Sequence, residues 1–351
     1  MDVGRSAVGP PNCGAEQVGR WAEVLDHLHL AVARCRSVVV DGHDGLTTWV
    51  ADRLAERLLG AGRACRRLTP SASRSVDGVV DGMQAGEPIV VADGPGWRRA
   101  PGDLGWDVVI WLRTPPPDSG DADDRRGDAD IVVDVYVPAW PVIRHVAARL
   151  GGPSTWYVSE SRAFFAIRAS TWDTKFGADQ PAYAAAVAEA QLSEGGTAID
   201  VGCGTGRALQ SLRRAVGWSG TVIGIDLTPQ MLAAARQQAR DIYGTLILGD
   251  ALRIPIRDAA VDAVFAAGLI THLPDAYRGM HELARVTRTR GRLVLFHPSG
   301  RAALAARHGR TLRPDEPLAE VPLRSLADET GWSLRTYDDS PHRFLAIAER
   351  R

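Results

Sequence analysis

The sequence predicts an α/β protein made of two doubly wound domains, each a mainly parallel sheet with helices on both faces. Two observations carry this. Short apolar runs rich in Val, Ile and Leu alternate with amphipathic helical segments along nearly the whole chain, the pattern of parallel strands buried on both faces. A Gly151-Gly152-Pro153 break near the middle separates two such series, and 351 residues at about 150 per domain suit two cores.

The first 15 residues are rich in Gly and Pro and read as a disordered N-terminus. From Glu16 to Cys35, Trp21, Val24, Leu25, Leu28 and Val32 recur on one helical face. Strands are expected at Ser37–Asp41, Pro88–Ala92, Asp107–Leu112 and Ile131–Val137, with a solvated acidic loop over Thr114–Asp130. A helix is expected over Val142–Leu150, stopped by the Gly-Gly-Pro break. The first domain is thus residues 16–150, the linker 151–158 and the second domain 159–351. In the second, strands are expected at Thr197–Val201, Thr221–Asp226, Thr245–Leu248, Val261–Ala267, Arg292–Phe296, Ser333–Tyr337 and Phe344–Ala348. Only Asp338–His342 joins the last two, so they should form an antiparallel hairpin.

Composition excludes several classes. A net charge of −1 supplies no field toward nucleic acid or an anionic membrane, and no basic stripe is interleaved with aromatics. The four cysteines show no metal-ligand spacing, so no metal is expected. Without a leader-like start or a long apolar run, the chain reads as cytoplasmic with reduced thiols. Lys175 is the only lysine beside 40 arginines, so residues 1–174 hold no lysine for a phosphate.

The most specific feature is Asp200-Val201-Gly202-Cys203-Gly204-Thr205-Gly206, an apolar strand running into three alternate glycines and then a helix. Glycine serves where the backbone turns sharply or a ligand approaches closely, and the following helix start favours an anionic group such as a carboxylate. The GxGxG spacing preceded by Asp200 suits a ligand with an amino-acid end better than the GxGxxG pyrophosphate fingerprint does. Asp226 ends the next strand about 20 residues on, where a carboxylate accepts from both ribose hydroxyls. Leu227 follows it, and Met231 can pack on a flat ring. Asp250, followed by Ala251, can accept from an exocyclic amine, so the two strand-end carboxylates suit an adenosine.

These residues, with DVGCGTG (200–206), GIDLTPQML (224–232), GDALRIP (249–255), DAVFAAGLITHLPD (262–275) and GRLVLFHP (291–298), resemble class I S-adenosylmethionine (SAM)-dependent methyltransferases over about residues 159–351. The resemblance implies a Rossmann-like seven-stranded sheet. It places Gly202, Gly204 and Gly206 on the methionine part of SAM, Asp226 on the ribose, Asp250 and Ala251 on the adenine, and Gly268 beside the sulfonium. Phe164-Phe165 to Phe176, with Trp172 as a candidate contact, resembles the family's N-terminal helical lid.

Methyl transfer is an in-line displacement in which the protein aligns donor and acceptor. Where the acceptor loses a proton, His272 and His297, near strand carboxyl ends, are the candidate bases. The expected function is methylation of a small-molecule acceptor in natural-product biosynthesis. A SAM-dependent cyclisation, rearrangement or decarboxylation and a regulatory pseudoenzyme remain alternatives, with a nucleoside kinase less favoured than these, and homodimerisation is left open.

In the first half, Val38-Val39-Val40-Asp41-Gly42-His43-Asp44-Gly45-Leu46-Thr47-Thr48 reads as strand, glycine turn and helix, and resembles the P-loop of uridine kinase-like proteins, approximately DGxxGSGKTT. The segments DVVIWL (107–112) and ADIVVD (129–134) extend the resemblance over about residues 16–150. Two residues are missing from the loop, Leu46 replaces the phosphate-gripping lysine, and the lid region is an acidic loop with only Arg125 and Arg126. A degenerate P-loop domain is expected, inactive as a kinase and kept for packing, dimerisation or acceptor binding, with His43, Asp44 and Thr47 as residual ligand candidates.

Overall fold

The structure is a computed structural model that describes residues 14–42, 46–69, 87–98, 105–114, 129–151, 156–307 and 311–351. It divides into two compact units, Met1–Glu160 and Ser161–Arg351, the division falling inside helix α4 (Tyr157–Ala166). The N-terminal segment before Gly14, most of the 114–130 loop, and Gly152 and Pro153 of the expected break lie outside the described residues.

In the first unit, helix α1 (Ala15–Val32) buries the five apolar residues of its periodic face completely. Full burial of such side chains contributes roughly 1.5–3 kcal/mol each, which fixes this face against the sheet. The strands are β1 (Ser37–Gly42), β2 (Cys65–Leu68), β3 (Ile89–Asp93), β4 (Val108–Arg113), β5 (Ile131–Asp134) and β6 (Val142–Val146), with α2 (Leu46–Gly60) after β1 and the short α3 (Pro95–Arg98) after β3. Their order is β2-β3-β1-β4-β5-β6, parallel except for β6. Val38, Val40, Ile110 and Leu112 face a core with α1 and α2, while Val39, Val90 and Trp97 pack on the opposite face.

One local expectation is corrected, and one strand was not read from the sequence. Val142–Leu150 is not a helix: Val142–Val146 pairs antiparallel with β5, burying Val142 and Ile143, and only Ala148–Leu150 forms a 3₁₀ turn. Edge pairing here outweighs the helix-like apolar spacing. Strand β2 carries two arginines at its centre, which is why its apolar signal is absent from the sequence.

The second unit contains α5 (Trp172–Phe176), α6 (Gln180–Glu189), β7 (Thr197–Val201), α7 (Leu209–Val216), β8 (Thr221–Asp226), α8 (Pro229–Asp241), β9 (Thr245–Leu248), β10 (Val261–Ala267), α9 (Ala276–Val286), β11 (Thr287–His297), α10 (Arg301–Arg307), α11 (Glu320–Glu329), β12 (Trp332–Ser340) and β13 (Arg343–Arg350). Seven strands line up as β12-β13-β11-β10-β7-β8-β9. Strands β7 to β11 are parallel, and β13 runs antiparallel to both β11 and β12, the hairpin read from the short turn. One face packs around Leu283, Leu293 and Trp332, the other around Tyr183, Leu212 and Phe296. The strand order reverses between β7 and β10, and ligands in open parallel sheets bind outside the carboxyl ends of strands at such a switch point.

Candidate functional site

The glycine turn leaves β7 at that switch point. Gly202, Gly204 and Gly206 have φ of +74°, +53° and +89°, a region costly for residues with a Cβ. Their surroundings differ. A Cβ on Gly206 would lie 2.9 Å from Leu209 Cδ1, and one on Gly202 3.1 Å from Leu269 Cδ1, so these two permit close packing. A Cβ on Gly204 would meet nothing within 4 Å, so it would project into open space. The turn is pinned to β8: the Gly202 and Cys203 amides donate to the Ile225 carbonyl at 2.8 and 3.0 Å. The Gly204 amide donates to Asp226 Oδ2 at 2.8 Å, and the Thr228 amide to Oδ1 at 2.8 Å.

Two buried carboxylates therefore stand side by side. Burial, and then the charge of Asp226, push the Asp200 carboxyl up to about 8. Burial also raises Asp226, against the amides of Thr228 and Gly204 that favour its charged form. Asp200 Oδ1 is buried with no hydrogen-bond partner among the described residues. A cationic ligand would relieve this charge, and each Asp226 oxygen keeps lone-pair capacity for hydroxyl donors. Burial keeps the Cys203 thiol well above its ordinary value, hence protonated.

The other expected contacts gather around this edge. Leu227 is half-buried and its carbonyl accepts from Arg162 Nε at 3.0 Å. Met231 is buried on the first turn of α8. After β9, half-buried Asp250 accepts the Leu252 amide at 2.9 Å beside buried Ala251. Gly268, at φ +65°, ends β10 and is tied to β11 by its amide on the Phe296 carbonyl at 2.8 Å.

The two histidines have different settings. His272 packs edge-on to Phe165 at 5.2 Å, and Phe165 in turn meets Trp172 at 5.9 Å, joining the 3₁₀ turn Ile270–His272 to the expected lid segment. His297 ends β11, with Nδ1 3.0 Å from the Ser299 amide and 2.9 Å from its carbonyl. Burial lowers its proton affinity, which keeps the ring neutral near pH 7.

Sequence reasoning missed the links between the lid segment and the glycine turn. Thr205 Oγ1 donates to Asp173 at 2.6 Å, and Arg207 pairs with Asp179 at 3.7 Å while stacking on Tyr183 at 4.7 Å. Burial pushes the Tyr183 hydroxyl up to about 12. Asp173, next to Trp172, was the available signal.

In the first unit, Gly42 is required, since a Cβ there would lie 2.5 Å from the Leu112 carbonyl. Leu46 opens α2 and Thr47 is buried; His43, Asp44, Gly45, Arg125 and Arg126 lie outside the described residues. Thr48 Oγ1 donates to Asp93 Oδ2 at 2.6 Å, and Arg67 lies 2.5 Å from Asp93 Oδ1 and 2.8 Å from Asp52.

Residues 199–295 match the protein family described as a methyltransferase domain. The second unit carries a methyltransferase domain. It is of the SAM-dependent class, and SAM is its cofactor. The chain is 36% identical over 105 residues to an uncharacterized 37.1 kDa protein in transposon TN4556 of Streptomyces fradiae, covering 30% of each. It is 34% identical over 112 residues to the demethylmenaquinone methyltransferase of Staphylococcus saprophyticus, covering 32% of this chain and 48% of that protein. The chain thus spans less than half the length of these relatives. A SAM-dependent methyltransferase from Aquifex aeolicus aligns in structure with a TM-score of 0.40 at 24% identity, over 46% of this chain and 86% of that one. No described helix is long and apolar enough to cross a membrane.

The methyltransferase edge fits SAM on two observations. Gly204 opens onto free space where a Cβ would intrude, and the unpartnered oxygen of Asp200 beside Asp226 calls for a cation.

Proposed function

We propose that the protein transfers the methyl group of SAM to a small-molecule acceptor in natural-product biosynthesis, and that its first unit is a degenerate P-loop domain inactive as a kinase. The observation that carries the methyltransferase reading is the carboxylate pair at the glycine turn, Asp226 accepting from two amides and Asp200 Oδ1 without a hydrogen-bond partner among the described residues. When bound, SAM supplies an electrophilic methyl group on a positive sulfur. Gly202, Gly204 and Gly206 shape the cradle for its methionine part. Asp200 balances positive charge, Asp226 takes the ribose hydroxyls, Leu227 and Met231 pack along the adenosine, and Asp250 and Ala251 hold the adenine edge. Gly268 leaves room at the reacting centre, and Trp172 with Phe165 and His272 excludes water from it. His272 and His297 serve the acceptor side.

For the first unit, the support is the order β2-β3-β1-β4-β5, together with α2 opening after β1 at Leu46 in place of the lysine. Arg67 and Thr48 both bond to Asp93 at the end of β3, so this strand-end carboxylate is neutralised within the unit. Titration calorimetry with ATP and Mg²⁺ should detect no micromolar binding, and such binding would refute this half of the proposal. For the other half, incubation with SAM and small-molecule acceptors should yield S-adenosylhomocysteine and methylated product in equal amounts. Product without S-adenosylhomocysteine would favour a non-methylating reaction.

A further inference from the structure

We propose that Asp173 and Asp179 are positioning residues of the methyltransferase site. They latch segment 162–179 over the carboxyl ends of β7, β8 and β10 by holding Thr205 and Arg207, on either side of Gly206, and so set the rate at which the cofactor leaves. This deepens the methyltransferase reading and rests on it.

The segment meets each border of the site in turn. Arg162 Nε donates to the Leu227 carbonyl at 3.0 Å, just after β8. Phe165 packs on His272 at 5.2 Å, beyond the end of β10, and Trp172 packs on Phe165 at 5.9 Å. The 3₁₀ turn Ala169–Thr171 lies against α8. Asp173 then reaches Thr205, and Asp179 reaches Arg207, in the turn that leaves β7. A ligand lying along these strand ends is therefore spanned by one continuous piece of chain.

Both contacts involve groups that gain from being paired. Thr205 is only 1% exposed, and its hydroxyl donates to Asp173 Oδ1 at 2.6 Å, a short charge-assisted bond. Asp173 lies on the exposed first turn of α5, and the bond draws its carboxylate inward. Arg207 is likewise buried, and the Asp179 carboxylate 3.7 Å away supplies a countercharge for its guanidinium. Asp179 stands at the N-cap of α6, where an aspartate ordinarily accepts an amide of the first turn; its side chain makes no such bond, and its carboxylate faces Arg207 instead. Lifting the segment takes an acceptor from a buried hydroxyl and a countercharge from a buried guanidinium. The closed arrangement is thus favoured by contacts within the protein itself, and these delay the release of whatever lies beneath.

The test is surface plasmon resonance of S-adenosylhomocysteine on the immobilised full-length protein, together with amide hydrogen exchange over residues 162–179 of the ligand-free protein. Thr205→Val keeps the shape of the side chain without its hydroxyl and should raise the dissociation rate about tenfold, as should Asp173→Ala. In both variants the segment should exchange faster before any cofactor is added. Thr205→Ser, which restores the hydroxyl, should stay within about twofold of the wild type. Thr205→Val combined with Asp173→Ala should release the ligand no more than about twofold faster than either single variant, because each removes the same bond. Asp179→Asn added to Thr205→Val should speed release further, since its contact is separate. Release at the wild-type rate in Asp173→Ala, whether or not exchange changes, would overturn the proposal, and so would additive effects of Thr205→Val and Asp173→Ala or failure of Thr205→Ser to restore slow release. No further gain from Asp179→Asn would remove Asp179 from the latch. Asp173 is exposed, so its variant keeps the test open should Thr205→Val not fold. Failure of S-adenosylhomocysteine to bind the wild type would overturn the methyltransferase reading, whereas hydrogen exchange tests the latch with no cofactor present.

Discussion

The two units place buried aspartates at the carboxyl ends of parallel strands, but they neutralise them in opposite ways. In the first unit two of them meet an arginine of the same unit: Asp93 at the end of β3 meets Arg67 of β2, and Asp134 at the end of β5 meets Arg113 of β4 at 2.6 Å. In the methyltransferase unit, Asp226 is held by the Gly204 and Thr228 amides, and the charge acting on Asp200 is that of another carboxylate. A buried ion destabilises the fold unless something pairs with it. An edge that supplies its own cation is closed, whereas one where a raised Asp200 carboxyl stands beside Asp226, with no cation paired to it among the described residues, favours a ligand that brings one.

The strongest way to break this comparison is to open the closed edge. Arg67→Ala leaves the fully buried Asp93 unpaired and should cost about 3–5 kcal/mol in denaturant unfolding, the usual size for removing one partner of a buried pair. Adding Asp93→Asn should restore most of that loss, because the uncompensated charge is gone. If Arg67→Ala were as stable as the wild type, Arg67 would not be the internal cation of this edge.

Next in size is the open edge itself. Asp226→Ala removes the acceptor for the Gly204 and Thr228 amides and for the ribose hydroxyls proposed to bind there. At roughly 1.5–3 kcal/mol per hydrogen bond to a charged group, SAM affinity measured by calorimetry should fall at least a hundredfold. A loss under threefold would remove Asp226 from the cofactor site.

Much of this open edge could be read in the sequence because its determinants are local. The glycines of the turn and the strand-end aspartates follow one another at fixed spacings, and each occupies a place set by its own strand. The closed edge was not readable in the same way. Arg67 reaches Asp93 and Asp52 across β2, β3 and α2, and no spacing along the chain announces that meeting. The error at Val142–Leu150 has the same origin, since Val142, Val146 and Leu150 sit at helical intervals and only pairing with β5 makes the segment a strand. The grip of Ser299 on His297 was hidden because a backbone amide carries no side-chain signature.

A smaller effect comes from pH. With its carboxyl raised to about 8, Asp200 holds a proton in the ligand-free fold that the unfolded chain has already lost above about pH 4. Stability of the ligand-free protein should therefore decline as pH rises from about 4 to 8. A bound cation favours the carboxylate, so SAM binding should release a proton near neutrality. Affinity should rise by up to about tenfold per pH unit and level off above about pH 8. Calorimetry in buffers of different ionisation enthalpy measures that proton, and Asp200→Asn should abolish both pH trends. Persistence of the trends in this variant would mean that another group carries the charge.

The smallest expected change separates the packing glycines from the ligand-facing one. Gly204→Ala should cost about 1–2 kcal/mol of stability from its positive φ alone, because its Cβ would meet no atom of the fold within 4 Å. The same Cβ would stand in the cradle, so SAM affinity should drop although no hydrogen bond has been removed. Gly206→Ala reverses the balance: its Cβ would press on Leu209 Cδ1 at 2.9 Å and on Ala235 Cβ at 3.3 Å, so stability should fall further than in Gly204→Ala. Comparing thermal midpoints with calorimetric affinities for the two variants tells strain inside the turn from obstruction of the ligand. Unchanged cofactor affinity in a well-folded Gly204→Ala variant would mean that the space beside Gly204 is not where the cofactor lies.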